Sequence, residues 1–395
     1  MEFIQGLLQT PYGALSALLA VLVAGEAVAK LTKGFVPMAL LVTLLLVALF
    51  WTGVFPPNIV EAVGITAVLF ALVSALLVAN LGTLINRKEM AAQWRTVLIA
   101  LMGIVAIIAI CLTIGAAVFG WNNAVAAAPP LTGAAIATAM VRTAAEAAGN
   151  QQALVIAIVC MALQGIIGYP LTALCLRKEA QALCAAYKNG TLKAPAAQDA
   201  NAGKAQKASS TNLILLKLGL IAVVAYLLQL ATAAIGFSIS MYVWAMLLGF
   251  LAHELGFLET DCLTKANAYG LCITIIMLYL FGGLAGNDMN TILSAFGVSG
   301  ALVVMSAAGM AAMAFAASKI FKRSFWISYA IILNAFLGFP INVILVNEAL
   351  DINTGDPEER AAVSSELMPP MLVGSFVCVT IVSVIIAGVL VNYIR

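Results

Sequence analysis

Long apolar runs dominate the chain, punctuated by short polar breaks. A helix that crosses a bilayer needs about 20 consecutive apolar residues. Runs of this kind occupy residues 7–29, 35–55, 59–85, 97–119, 151–176, 212–236, 239–257, 266–285, 294–318 and 367–394. Each predicts a transmembrane helix. Two further stretches, 121–148 and 326–350, are apolar but interrupted by proline, glycine and asparagine. Residues 177–211 differ: they are polar, rich in alanine and lysine, and hold no long apolar run. They predict a surface linker between a first repeat, 1–176, and a second, 212–395.

Composition narrows the setting. Of the 395 residues 64% are hydrophobic and 9% are charged, where a soluble domain carries about 25% charged residues. A soluble enzyme, a nucleic-acid-binding protein and a disordered scaffold are thereby excluded, and the expected surroundings are membrane lipid. The first apolar run lacks a basic n-region and a small-residue cleavage site, so it is expected to stay as a span. The seven cysteines form no CxxC pair and most lie inside apolar runs, as small buried hydrophobes do in a reducing compartment.

The net charge of +2 selects no partner, but the placement of the charges is informative. Fifteen of the nineteen basic residues fall in five loops: Lys30 and Lys33; Arg87, Lys88 and Arg95; Arg177, Lys178, Lys188, Lys193, Lys204 and Lys207; Lys265; and Lys319, Lys322 and Arg323. If 121–148 and 326–350 both cross fully, the chain has twelve spans and these loops divide between the two faces. If both are re-entrant hairpins, it has ten spans and all fifteen residues share one face, as the positive-inside rule favours. The pattern thus predicts an all-α membrane protein with about ten transmembrane helices in a cytoplasmic (inner) membrane. Both termini are expected outside and the linker 177–211 in the cytoplasm.

Each half then holds five spans, with a hairpin between the fourth and the fifth. Five is odd, so the second half is inverted relative to the first. Inverted repeats with broken helices meeting near the midplane are a plan of secondary transporters. One internal match, GYPLTALCL (168–176) with GFPINVILV (338–346), favours a different register and twelve spans. The charge distribution favours ten.

The broken segments carry the candidate chemistry. In 121–148, Pro129 and Pro130 remove two backbone donors and stop an incoming helix, and Leu131-Thr132-Gly133 opens a new one. Irregular backbone at membrane depth survives only where it is buried in protein or lines a wet cavity. A helix start there aims free N–H groups at an anion, with Asn122, Asn123, Thr132 and Thr138 as side-chain partners. Arg142 and Glu146 are spaced to pair on the outgoing helix; alternatively Arg142 holds a substrate carboxylate. In 326–350, Gly338 and Pro340 make the break, flanked by Asn334 and Asn342, with Asn347 and Glu348 about two turns on. Amide and backbone oxygens beside a break suit a coupling ion; alternatively these groups only cap the helix ends.

A secondary active transporter for a small polar or anionic solute, a carboxylate or an amino acid, accommodates these features. There is no GxxxxGK[ST] loop, so the chain is not expected to hydrolyse nucleotide. A passive channel or a structural subunit of a larger complex is the alternative. An intramembrane enzyme is a remote third: GVSG (297–300) lacks the later histidine of a serine protease, since the single histidine is His253. No enzymatic activity and no cofactor are expected.

PPLTGAAIATAM (129–140) resembles the sodium/glutamate symporter family and related inverted-repeat elevator carriers, which have a comparable Pro-Leu-Thr-Gly run at the first hairpin. The sequence departs from that pattern after Gly133, where Ala134-Ala135 replaces further glycine. The resemblance implies Na+ as coupling ion, a homodimer, and a moving domain built from the hairpins and neighbouring spans. GYPLTALCLRKEA (168–180) and GFPINVILVNEAL (338–350) also resemble a group of bacterial membrane proteins of unassigned substrate.

Overall fold

The computed structural model describes residues 2–32, 36, 38–84, 91–192, 210–234, 239–337 and 341–395. The described residues are helical, with no strand among them. In chain order the helices are α1 (Glu2–Leu8), α2 (Pro11–Leu31), α3 (Met38–Trp51), α4 (Ile59–Ala62), α5 (Ala67–Thr83) and α6 (Trp94–Phe119, with a π turn at Cys111–Gly115). There follow α7 (Trp121–Ala148), α8 (Gln151–Lys188), α9 (Thr211–Ala234), α10 (Met241–Glu254), α11 (Cys262–Lys265), α12 (Tyr269–Gly282) and α13 (Met289–Phe321). The last are α14 (Phe325–Leu337), α15 (Ile341–Asn353), α16 (Pro357–Phe376), a π turn (Val377–Val382) and α17 (Ser383–Leu390). Among the described residues five helices, α2, α6, α8, α9 and α13, are long and apolar enough to cross a membrane, and α3, α5, α12 and α14 are shorter apolar helices. This composition and architecture are compatible with a multi-pass membrane protein.

Local sequence explains many of the helix ends. Asn150 caps α8 by accepting from Ala153 N–H at 2.9 Å, and Asp356 caps α16 through Glu359 N–H at 2.7 Å. Asp288 caps α13, and its hydrogen bonds from Thr291 hold the carboxyl below its ordinary range. Gly149 takes φ +67° to end α7, a left-handed conformation suited to glycine. The boundary expected at 176 falls inside α8, which continues to Lys188 with Ala180 and Cys184 buried. Buried alanine and cysteine at helical spacing extend the packed face past the first lysines, so the linker starts later than its polarity suggested.

The helices pack in two groups. In one, α5 lies against α10, α12 and α9, and α2 against α3. In the other, α7, α8, α13, α14, α15 and the C-terminal helix pack on one another and on α6. The seam between them is narrow: α3 against α8, α12 against α7, α10 against α17, and α5 against the second π turn.

Glycines let helices in the first group approach closely. A Cβ at Gly249 would collide with the Ala79 carbonyl, and one at Gly82 with the Met246 carbonyl. Small residues at such crossings suit helix association in lipid, where dispersion and close packing replace the hydrophobic effect. Gly249→Ala gains about 1 kcal/mol of helix propensity but forces two backbones apart, which costs about 3 kcal/mol. A net loss of about 2 kcal/mol is expected, read as a shifted midpoint in detergent-denaturant unfolding.

Among the described residues, several basic side chains are held at helix ends and on the loop after α10. Arg323 donates to Thr96 at the start of α6, Lys188 pairs with Glu359 at 3.5 Å, and Lys265 pairs with Glu259 at 3.0 Å on the loop held by Asn80 and Thr83. Lys217 stacks over Phe257 on that same loop.

Candidate functional site

The segment 121–148 is one unbroken run of helix with Pro129 and Pro130 inside it. A straight helix of 28 residues is about 42 Å long. Its two ends nevertheless converge: Asn122 and Asn150 both donate side-chain N–H to the Arg395 carbonyl oxygen, at 3.0 and 2.8 Å. The segment therefore bends back on itself. The outgoing part follows α17: Gly133 lies against Ser383, and Met140 lies near Gly388. The incoming part packs on α6, where Gly115 lies near Ala124. The double proline supplies the bend by deleting two helix donors.

The segment 326–350 also reverses. Glu179 of α8 lies beside Ser324 and Ile327, where α14 begins. Gly168, eleven residues earlier on α8, lies against Phe336 near the end of α14; a Cβ there would stand 2.9 Å from Phe336 Cβ. Farther along α8, Cys184 donates to the Asn353 carbonyl at the end of α15. Thus α14 runs antiparallel to α8, and α15 returns beside it. The outer ends of α14 and α15 lie with Arg323 and Lys188, whereas the ends of α7 lie with Arg395. Gly338 and Pro340, the expected break, lie outside the described residues.

The two segments meet. α7 packs on α14, and both rest on the C-terminal helix, at Ser383 and Met371 respectively. Between Ser375 and Ser383 runs about 12 Å of helix that includes the π turn, a bulge type frequent at functional sites. Asn334 and Asn342 are fully buried and both donate Nδ2–H to the Met371 carbonyl, at 3.4 and 2.9 Å. Each leaves its Oδ1 without a hydrogen-bond partner. One turn beyond Met371, Ser375 Oγ is buried and also unpartnered. Gln164 Oε1 and Thr172 Oγ1 are in the same condition, one turn either side of Gly168 on α8. Buried polar atoms normally find partners, and each exception calls for a physical reason.

The other expected residues divide. Thr132, Gly133 and Thr138 are buried in the bent segment, with Thr132 Oγ1 donating to the Pro129 carbonyl at 2.8 Å. Asn122 and Asn123 sit at the open end of α7 instead, Asn122 on Arg395 and Asn123 on the Phe119 carbonyl. Arg142 is also far from the bend. It is held by Glu146 at 2.7 Å, by the Leu280 carbonyl at 3.2 Å and by the Tyr279 ring at 3.8 Å. Asn347 bonds the Val343 carbonyl and Arg360, and Glu348 lies near Tyr169, so neither joins Asn334 and Asn342. The reversal explains these placements, since it carries the polar residues at each segment's ends away from its bend.

Sequence reading missed Ser375, Gln164 and Thr172. Pro369-Pro370, a second double proline seven residues before the π turn, is the available signal for Ser375. Gln164 and Thr172 flank Gly168 at helical spacing inside an otherwise apolar run. Among the described residues no group of three or more His, Cys, Asp or Glu is placed to hold a metal ion. No family model and no curated protein matches the chain.

Proposed function

We propose that this chain is a secondary active transporter for a small polar or anionic solute, working by elevator-type alternation in a cytoplasmic membrane. One observation carries the reading: two helical segments reverse from opposite ends of the bundle and meet beside buried oxygens that lack partners. Each arm of the second segment has 13 residues, about 20 Å, against a hydrocarbon core of about 30 Å. That length suits re-entrant hairpins that stop past the midplane.

Mirrored packing supports two inverted repeats of five spans. The contact of α2 with α3 matches α9 with α10, α3 with α8 matches α10 with α17, and α6 with the C-terminal helix matches α13 with α8. The narrow seam supports movement of the hairpin group against the other. The end with Arg323 and Lys188, together with the linker, is cytoplasmic in this reading, which puts both termini outside.

Asn334 Oδ1, Asn342 Oδ1 and Ser375 Oγ are neutral, hard oxygen donors. Such donors suit a desolvated monovalent cation such as Na+ as coupling ion. The solute then binds beside it, between Thr132-Gly133 and Asn342. Thermal stability in NaCl against choline chloride, with a panel of amino acids and carboxylates, identifies ligands, because anything that binds only the folded state stabilises it. Saturable counterflow of a stabilising solute in proteoliposomes is expected. Flux that never saturates indicates a passive channel and overturns the reading.

A further inference from the structure

A polar clamp crosses the seam between the two helix groups. On the α7 side stand Arg142 and Glu146; on the α12 side stand Tyr279 and the Leu280 carbonyl. Arg142 Nε binds Glu146 Oε1 at 2.7 Å, and its Nη1 binds the Leu280 carbonyl at 3.2 Å. Tyr279 Oη donates to Glu146 Oε2 at 2.8 Å. The guanidinium lies 3.8 Å from the Tyr279 ring centroid, within cation–π range. That ring is fixed from behind by Phe70 of α5, stacked at 4.4 Å and 13°. Gly283 makes room: a Cβ there would stand 3.1 Å from Arg142 Nε.

We propose that this clamp is a conformational latch that holds the hairpin group in one end state of the transport cycle. The inference rests on the two-group reading above. Arg142 and Glu146 ride on α7, which belongs to the moving group. Tyr279, Leu280 and Phe70 belong to the group of α5, α10 and α12. A slide of α7 by one helical turn, about 5.4 Å, parts Arg142 from the Leu280 carbonyl and the Tyr279 ring, and Glu146 from Tyr279 Oη. Apolar contacts along the seam can be replaced by equivalent contacts after such a slide. Two charge-assisted hydrogen bonds and a cation–π contact cannot, so the latch weights one state over the other. It also explains why Arg142 is spent on internal partners and not on a solute.

Tyr279→Phe tests the latch with little structural cost, because the ring keeps its stack on Phe70 and its contact with Arg142. Glu146→Gln removes the charge and keeps the shape. Nitroxides at Asn58→Cys and Ala147→Cys, both exposed and on opposite sides of the seam, report the separation by double electron–electron resonance in full-length protein in nanodiscs. The seven native cysteines are buried and free. Wild type should show one dominant distance. The Tyr279→Phe/Glu146→Gln protein should show a second population, with the ratio shifted by about tenfold or more. If wild type already shows two distances in a ratio the double variant leaves unchanged, the groups move and the latch is overturned. A single, identical distance in both proteins overturns the latch and the two-group motion together.

Discussion

Asn342→Ala is expected to lower solute uptake at least tenfold and to erase the Na+-specific gain in thermal stability, with the protein still folded. Asn342 spends one amide hydrogen on the Met371 carbonyl and leaves Oδ1 unpartnered in a fully buried position. Removing the side chain loses one hydrogen bond, worth about 1 kcal/mol, and also removes a costly orphan oxygen. The stability change is therefore small. If the oxygen is a ligand, the functional change is large, because the site then lacks a donor that water cannot easily replace at that depth. Asn334→Ala should behave alike, since its Oδ1 is orphaned beside the same carbonyl. Thr132→Ala should reduce uptake while keeping the Na+ response, because it lies on the other segment. The comparison is the midpoint in NaCl against choline chloride at equal ionic strength. An unchanged Na+-specific shift in both asparagine variants would remove the cation from Asn334 and Asn342.

Gly133→Ala is expected to be the most damaging single methyl. Its Cβ would occupy the space of Ser383 Cβ and Oγ, closer than side chains ever approach. Overpacking of this kind costs about 3 kcal/mol or more where the backbone must move. Here the bend of α7 would lift off α17, so both the amount of folded protein and its uptake should fall. Ser383→Gly supplies the control. With Ser383 Cβ gone, the nearest atom to the new methyl is Ser383 Cα at 3.4 Å, an ordinary contact. The double variant should recover most of the folded yield, a strong positive coupling between two residues far apart in sequence. Failure of the second change to rescue the first would mean that Gly133 serves backbone freedom and not close approach.

Much of the architecture was legible because lipid imposes simple rules. Long apolar runs announced α2, α6, α8, α9 and α13, the helices long and apolar enough to cross a membrane. Pro129-Pro130 marked a bend because proline lacks the donor that a helix interior needs. The linker boundary was less legible, since a helix that runs on past its apolar stretch while packing Ala180 and Cys184 has a polar face that resembles a loop. The site was partly legible. Asn334 and Asn342 stood out as amides beside a break. Arg142 stood out as a charge in an apolar segment, but its spacing to Glu146 could not show whether the pair turns inward to a solute or sideways to Tyr279. Ser375, Gln164 and Thr172 were hidden because their significance lies in missing hydrogen bonds, and only packing against other helices reveals those.

The reversal of both segments inside a membrane is the claim on which the transporter reading stands, and sidedness measures it directly. Single cysteines at Trp121, Ala147, Lys322 and Ile352 are exposed at the four segment ends, and the buried native cysteines give a quiet background. A membrane-impermeant maleimide is applied to right-side-out and to inverted vesicles. Trp121→Cys and Ala147→Cys should label together from the outside, and Lys322→Cys and Ile352→Cys together from the cytoplasmic side. Labelling of Trp121→Cys and Ala147→Cys from opposite sides, or of Lys322→Cys and Ile352→Cys from opposite sides, would show a full crossing and contradict the reading.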